Sequence, residues 1–94
     1  MPFVKAGSLA KLTPGSVMEA QVRGGTYAIC NAGGEIHVLD GICPHAGGPL
    51  GQGVLHGTTL VCPWHAWEFD LDDPLILAKF PVKIDGDDIL IDVP

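Results

Sequence analysis

Basic residues are scarce in this chain: five Lys and Arg stand against eleven Asp and Glu, for a net charge of −6. Nucleic-acid binding needs clustered Lys and Arg to neutralise phosphates, so this balance excludes it as a primary role. Long apolar runs are missing too. Nothing approaches the roughly eighteen residues of a membrane-spanning helix, and no signal-peptide apolar segment follows Met1. A soluble, cytoplasmic protein is expected. Cysteine is sparse at three, which argues against a disulfide framework and for a reducing compartment. Sustained helical periodicity is absent as well, so no long amphipathic helix is expected.

Glycine and proline, by contrast, are plentiful at 13 and 8. They fit many turns between short strands. Apolar and β-branched runs at 3–6, 17–22, 26–30, 35–40, 67–69, 82–84 and 89–91 read as strands. Turn signals separate them at 12–15, at Gly24-Gly25, at Gly33-Gly34 and at Asp85-Gly86. The stretch 41–53 reads as loop. The expected fold is all-β, a small antiparallel sandwich or barrel, with residues 1–94 forming one domain.

Two short runs carry the chemistry. Cys43-Pro44-His45 and Cys62-Pro63-Trp64-His65 each pair a thiol with an imidazole, and sixteen residues lie between His45 and Cys62. In an extended loop, Cys43 and His45 are two residues apart and can point the same way. Each loop can therefore give its Cys to one iron and its His to the other. An iron–sulfur centre with two Cys on one iron and two His on the other needs this donor set. The alternative is a structural zinc site, which also accepts two thiolates and two imidazoles. Zinc knuckles usually pair Cys with Cys and His with His, so the repeated Cys-then-His order fits zinc less well. A Cys43–Cys62 disulfide would leave both histidines without a reason.

The runs resemble the Rieske family, whose pattern is Cys-x-His, a gap of about fifteen to seventeen residues, then Cys-x-x-His. Gly47, Gly48 and Pro49-Leu50-Gly51 follow the first pair as they do in Rieske ferredoxins. Residues 61–70 are similar to the second loop and the strand after it, and 80–84 and 87–92 to the closing strands. The resemblance implies one [2Fe-2S] cluster held by Cys43, His45, Cys62 and His65. It implies a ferredoxin, an electron-transfer component and not an enzyme, taking electrons from a flavin-dependent reductase to a terminal oxygenase. A small Rieske subunit paired with a nitrite reductase large subunit is the alternative, and a zinc-stabilised non-redox interaction module is the reading from another class.

The respiratory-complex branch of that family resembles Cys-x-His-x-Gly-Cys and Cys-x-Cys-His-Gly-Ser-x-Tyr, with the second Cys of each run joined in a disulfide. Here Gly48 and Trp64 hold those positions, so that disulfide cannot form. The Ser and Tyr that donate hydroxyl hydrogen bonds are Trp67 and Phe69. A low-potential centre follows, near the bottom of the Rieske range at about −150 mV. After Asp70, the proline-bearing loop that covers the cluster in many relatives is shortened to Asp72-Asp73-Pro74 and then Leu75-Ile76-Leu77-Ala78. Partners are expected at the cluster tip, on a rim of Pro44, Pro49, Leu50, Pro63 and Trp64, with acidic residues supplying attraction. Trp64 and Trp67 read as shields against water. Cys30 reads as a small buried hydrophobe, and His37 and His56 as surface residues.

Overall fold

The computed structural model describes residues 3–43, 47–64, 67–73 and 79–94. Among them the strands, in chain order, are β1 (Val4–Ser8), β2 (Val17–Val22), β3 (Gly25–Ala32), β4 (Glu35–Asp40), β5 (Val54–His56), β6 (Thr59–Val61), β7 (Glu68–Asp70), β8 (Val82–Asp85) and β9 (Asp88–Ile91). They make three antiparallel sheets, ordered β1-β9-β8, β2-β3-β4 and β5-β6-β7. No α-helix occurs among the described residues, and no helix is long and apolar enough to cross a membrane. The all-β antiparallel expectation is met.

The β2-β3-β4 sheet lies in the middle, and β3 shows why. Tyr27-Ala28-Ile29-Cys30 is apolar without alternation, as a strand covered on both faces must be. Tyr27 and Ile29 join Val38, Ile89 and Ile91 in one core, toward β1-β9-β8. Ala28 and Cys30 join Leu39, Leu50, Leu55, Leu60 and Phe69 in the other, toward β5-β6-β7. Successive side chains of one strand thus serve two cores.

The turns follow their residues closely. Ser16 N–H donates to the Thr13 carbonyl at 3.1 Å, with Pro14 and then Gly15 at φ 87 between them. That is the Pro-Gly signature of a type II turn. Residues 17–22 and 35–40 form strands with the expected limits. The β2–β3 turn falls one residue earlier than expected, on Arg23-Gly24, where both residues have positive φ of 54 and 82, and Gly25 is already paired with Val22. The β5–β6 hairpin, turning at Gly57 with φ 61, was not expected. Its strands are three residues each, too short to show a period.

His37 is a correction. Its neighbours Ile36 and Val38 suggested a solvent-facing position, but it is only 8% exposed. It pairs across the ladder with Cys30 and shares that residue's face, which the β5-β6-β7 side covers. Its Nε2 lies 2.8 Å from Glu35 Oε1 without hydrogen-bond geometry. His56 is exposed, as expected.

The segment after β4 is tied down on the central sheet. Gly41 N–H donates to the Thr26 carbonyl and Leu50 N–H to the Gly41 carbonyl, both at 2.9 Å. The 3₁₀ turn Leu50–Gln52 then rides on β2, where a Cβ on Gly51 would stand 2.7 Å from Glu19 Cα. The obstacle is backbone, which cannot swing aside. Gly51→Ala is therefore expected to destabilise the fold by about 1–3 kcal/mol, lowering the melting temperature by roughly 5–15 °C. Gln52→Ala, on the exposed neighbour, should change little. Equal melting of the two variants in calorimetry would contradict this packing.

Candidate metal centre

Cys43 follows β4 through Gly41-Ile42, and Cys62 directly follows β6. The loops that begin with them close alike. Cys43 N–H donates to the Gly48 carbonyl and Cys62 N–H to the Trp67 carbonyl, each bond 2.8 Å long and spanning five residues. Gly47 N–H adds a bond to the Cys43 carbonyl at 2.8 Å, from a backbone at φ 74 that favours glycine. A hydrogen-bonded ring thus fixes each cysteine before any metal is considered.

Both cysteines are 1% exposed and belong to the core that holds Leu50, Leu60 and Phe69. No disulfide joins them. Their thiols are near enough to share a hydrogen bond. Burial is the main influence raising the Cys62 pKa above the ordinary thiol value. The Trp64 backbone N–H, 3.4 Å from Cys62 Sγ, opposes it, and the Cys43 thiol adds to it. With its pKa raised, the Cys62 thiol resists ionisation, and a coordinated metal takes such thiols as thiolates. Two adjacent soft donors with an N–H aimed at one of them fit an iron–sulfur cluster.

The structure therefore brings together two of the four expected ligands. His45 and His65 lie outside the described residues, as do Pro44 and the shortened cover at 74–78. Around the two cysteines the surface is apolar: Ile42, Trp64 and Trp67 are each about half exposed, and Pro63 is exposed. Leu50 does not belong to this rim. It is fully buried, because the turn that carries it is pressed onto β2 and β3. Ile42 takes its place. An Ile flanked by Gly41 and Cys43 carries no periodic signal that marks it as exposed.

Cys30 shares the core with Cys43 and Cys62 but stands on β3. Burial alone pushes its thiol up to about 12.

Residues 3–85 match the family described as the Rieske [2Fe-2S] domain. The ferredoxin component of the naphthalene 1,2-dioxygenase system of Pseudomonas aeruginosa is 29% identical over 99 residues, covering 97% of this chain and 95% of its own. The ferredoxin component of biphenyl 2,3-dioxygenase from Rhodococcus jostii is 30% identical over 101 residues, covering 99% and 94%. Among solved structures, the ferredoxin of carbazole 1,9a-dioxygenase from Nocardioides aromaticivorans IC177 superposes with a TM-score of 0.85 at 26% identity, over 97% of each chain.

A thiol at about 12 leaves roughly one molecule in ten thousand ionised at pH 8, so Cys30 is expected to resist alkylation until the protein unfolds. Peptide mass spectrometry after iodoacetamide treatment, with and without denaturant, checks this. Cys30→Ala should keep the full iron and sulfide content. Rapid labelling in the native protein would contradict that burial, and iron loss in the variant would make Cys30 part of the centre after all.

Proposed function

This chain belongs to the Rieske [2Fe-2S] domain family, and from that premise we propose that it carries electrons, one at a time, from a flavin-dependent reductase to a terminal oxygenase. One observation carries the reading: two buried, adjacent thiols sit at the root of twin loops, under a rim of exposed apolar side chains. The sequence relatives matched over nearly their whole length are named as ferredoxin components of dioxygenase systems at 29–30% identity, whereas a solved structure described as a nitrite reductase small subunit, matched over its whole length, is 16% identical, which favours the ferredoxin role. Such a protein is an electron-transfer component, with no substrate chemistry of its own.

Within this reading, Cys43 and Cys62 bind one iron, and His45 and His65 the other. The [2Fe-2S] cluster, once bound, supplies a reversible one-electron couple. The chain's residues do the rest. The backbone rings that end at Gly48 and Trp67 hold the thiolates in place. The Trp64 N–H donates toward Cys62 Sγ, where negative charge grows on reduction. Trp67 and Phe69 offer no hydroxyl, which keeps the potential low within the family. Ile42, Pro63, Trp64 and Trp67 present an apolar face to partners, and the net charge of −6 steers the encounter with basic surfaces.

The ligand set is tested by metal analysis and electron paramagnetic resonance. Wild-type protein should hold two irons and two sulfides and, once reduced, show a signal whose average g lies below the free-electron value. His65→Ala and Cys43→Ala should each abolish that signal, and His56→Ala should keep it. Zinc in place of iron, or a normal signal from His65→Ala, would sink the assignment.

The docking face is tested by kinetics. Electron-transfer rates to the oxygenase should fall as salt rises, because screening shortens the steering range to about 8 Å at physiological strength. Ile42→Lys should slow transfer several-fold while leaving the resonance signal unchanged. Rates insensitive to both salt and Ile42→Lys would leave this face without a role.

A further inference from the structure

Two adjacent glycines in the first ligand loop are glycine for different reasons. Gly47 has a φ of 74 and open space where a Cβ would go, so its backbone conformation selects it. Gly48 has no positive φ, so conformation does not require glycine there. Space does. A Cβ on Gly48 would stand 2.8 Å from Trp64 Cγ and 3.0 Å from both Trp64 Cβ and Cδ2. The base of the Trp64 side chain, on the second ligand loop, therefore rests directly on the backbone of the first.

The same two residues also reach the ligand cysteines. The Gly48 carbonyl closes the first loop by accepting the Cys43 N–H at 2.8 Å. The Trp64 backbone N–H, which any residue at that position would keep, points at Cys62 Sγ from 3.4 Å. The contact is therefore linked by one hydrogen bond to the Cys43 backbone and by another to the Cys62 sulfur. Trp64 is half exposed, so this close approach is a large part of its hold on the loop.

Resting on the [2Fe-2S] reading above, we propose that Trp64 is a positioning residue of the redox centre: its side chain seated on Gly48 ties the two ligand loops together and holds its own N–H on the Cys62 sulfur. No disulfide spans the described parts of these loops, and among the described residues this contact is one that joins them. The N–H to sulfur bond stabilises the reduced cluster, which is more negative than the oxidised one, and so raises the potential.

The test uses the loaded protein without its partners, so that the exposed side of Trp64 plays no part. Trp64→Ala removes the contact from one side, Gly48→Ala pushes it apart from the other, and Trp64→Phe keeps a flat ring. Three quantities are read: midpoint potential by film voltammetry, g-values of the reduced protein, and the rate of iron loss to a chelator. Trp64→Ala and Gly48→Ala should both lower the potential, move the g-values and speed iron loss by about tenfold, equivalent to about 1.4 kcal/mol. Trp64→Phe should restore most of each. Failure of Trp64→Ala to load iron while Trp64→Phe loads normally also supports the proposal. Wild-type potential, g-values and iron-loss rate in both Trp64→Ala and Gly48→Ala would overturn it, as would equal losses in Trp64→Phe and Trp64→Ala with Gly48→Ala unchanged. A wild-type protein without iron would instead overturn the reading on which the proposal rests.

Discussion

A thiolate ligand lasts only where water and oxidants are kept from it, yet an electron carrier must bring its metal close to the surface. As the proposed ligands, Cys43 and Cys62 would meet both demands, because they stand at the first position of their loops, where the core still covers them. Leu50, Leu60 and Phe69 supply that cover from below. The central sheet in turn supports them, with Ala28, Cys30 and Leu39 as its contribution to the same core. The strand β3 can do this only because its alternate residues are held by Ile89 and Ile91 on the far side. The depth of the β1-β9-β8 layer is thus part of what places two sulfurs at the tip.

The ligand runs, the Pro14-Gly15 and Gly33-Gly34 turns and the limits of β2 and β4 were all legible in the chain, because each rests on local chemistry that short sequence windows carry. What was not legible depends on a second layer. Alternation around His37 reads as a solvent face only if a sheet has one, and this sheet has none. Leu50 sits in a Gly- and Pro-rich loop, where burial is decided by Gly51 pressing on Glu19. Ile42 is the reverse case, an apolar residue left exposed because its neighbour Gly41 turns the chain under Thr26. The matching closures of the two ligand loops were also hidden. His45 lies two residues past its cysteine and His65 three, so the spacing suggests unlike loops, while the backbone bonds make them alike.

Gly48 and Trp64 stand at the positions where the respiratory-complex branch of the family, from which this chain departs, carries a disulfide, and the contrast says something about clamps. A disulfide constrains strongly, but it forms only with an oxidant and is undone by reductants. A side chain resting on a glycine backbone needs neither. Its strength comes from close packing, which a redox partner cannot titrate. It also leaves Trp64 half exposed, as Ile42 and Trp67 are. In a carrier that meets reductants at every cycle, a packing clamp keeps the geometry of the centre independent of the electrons passing through it.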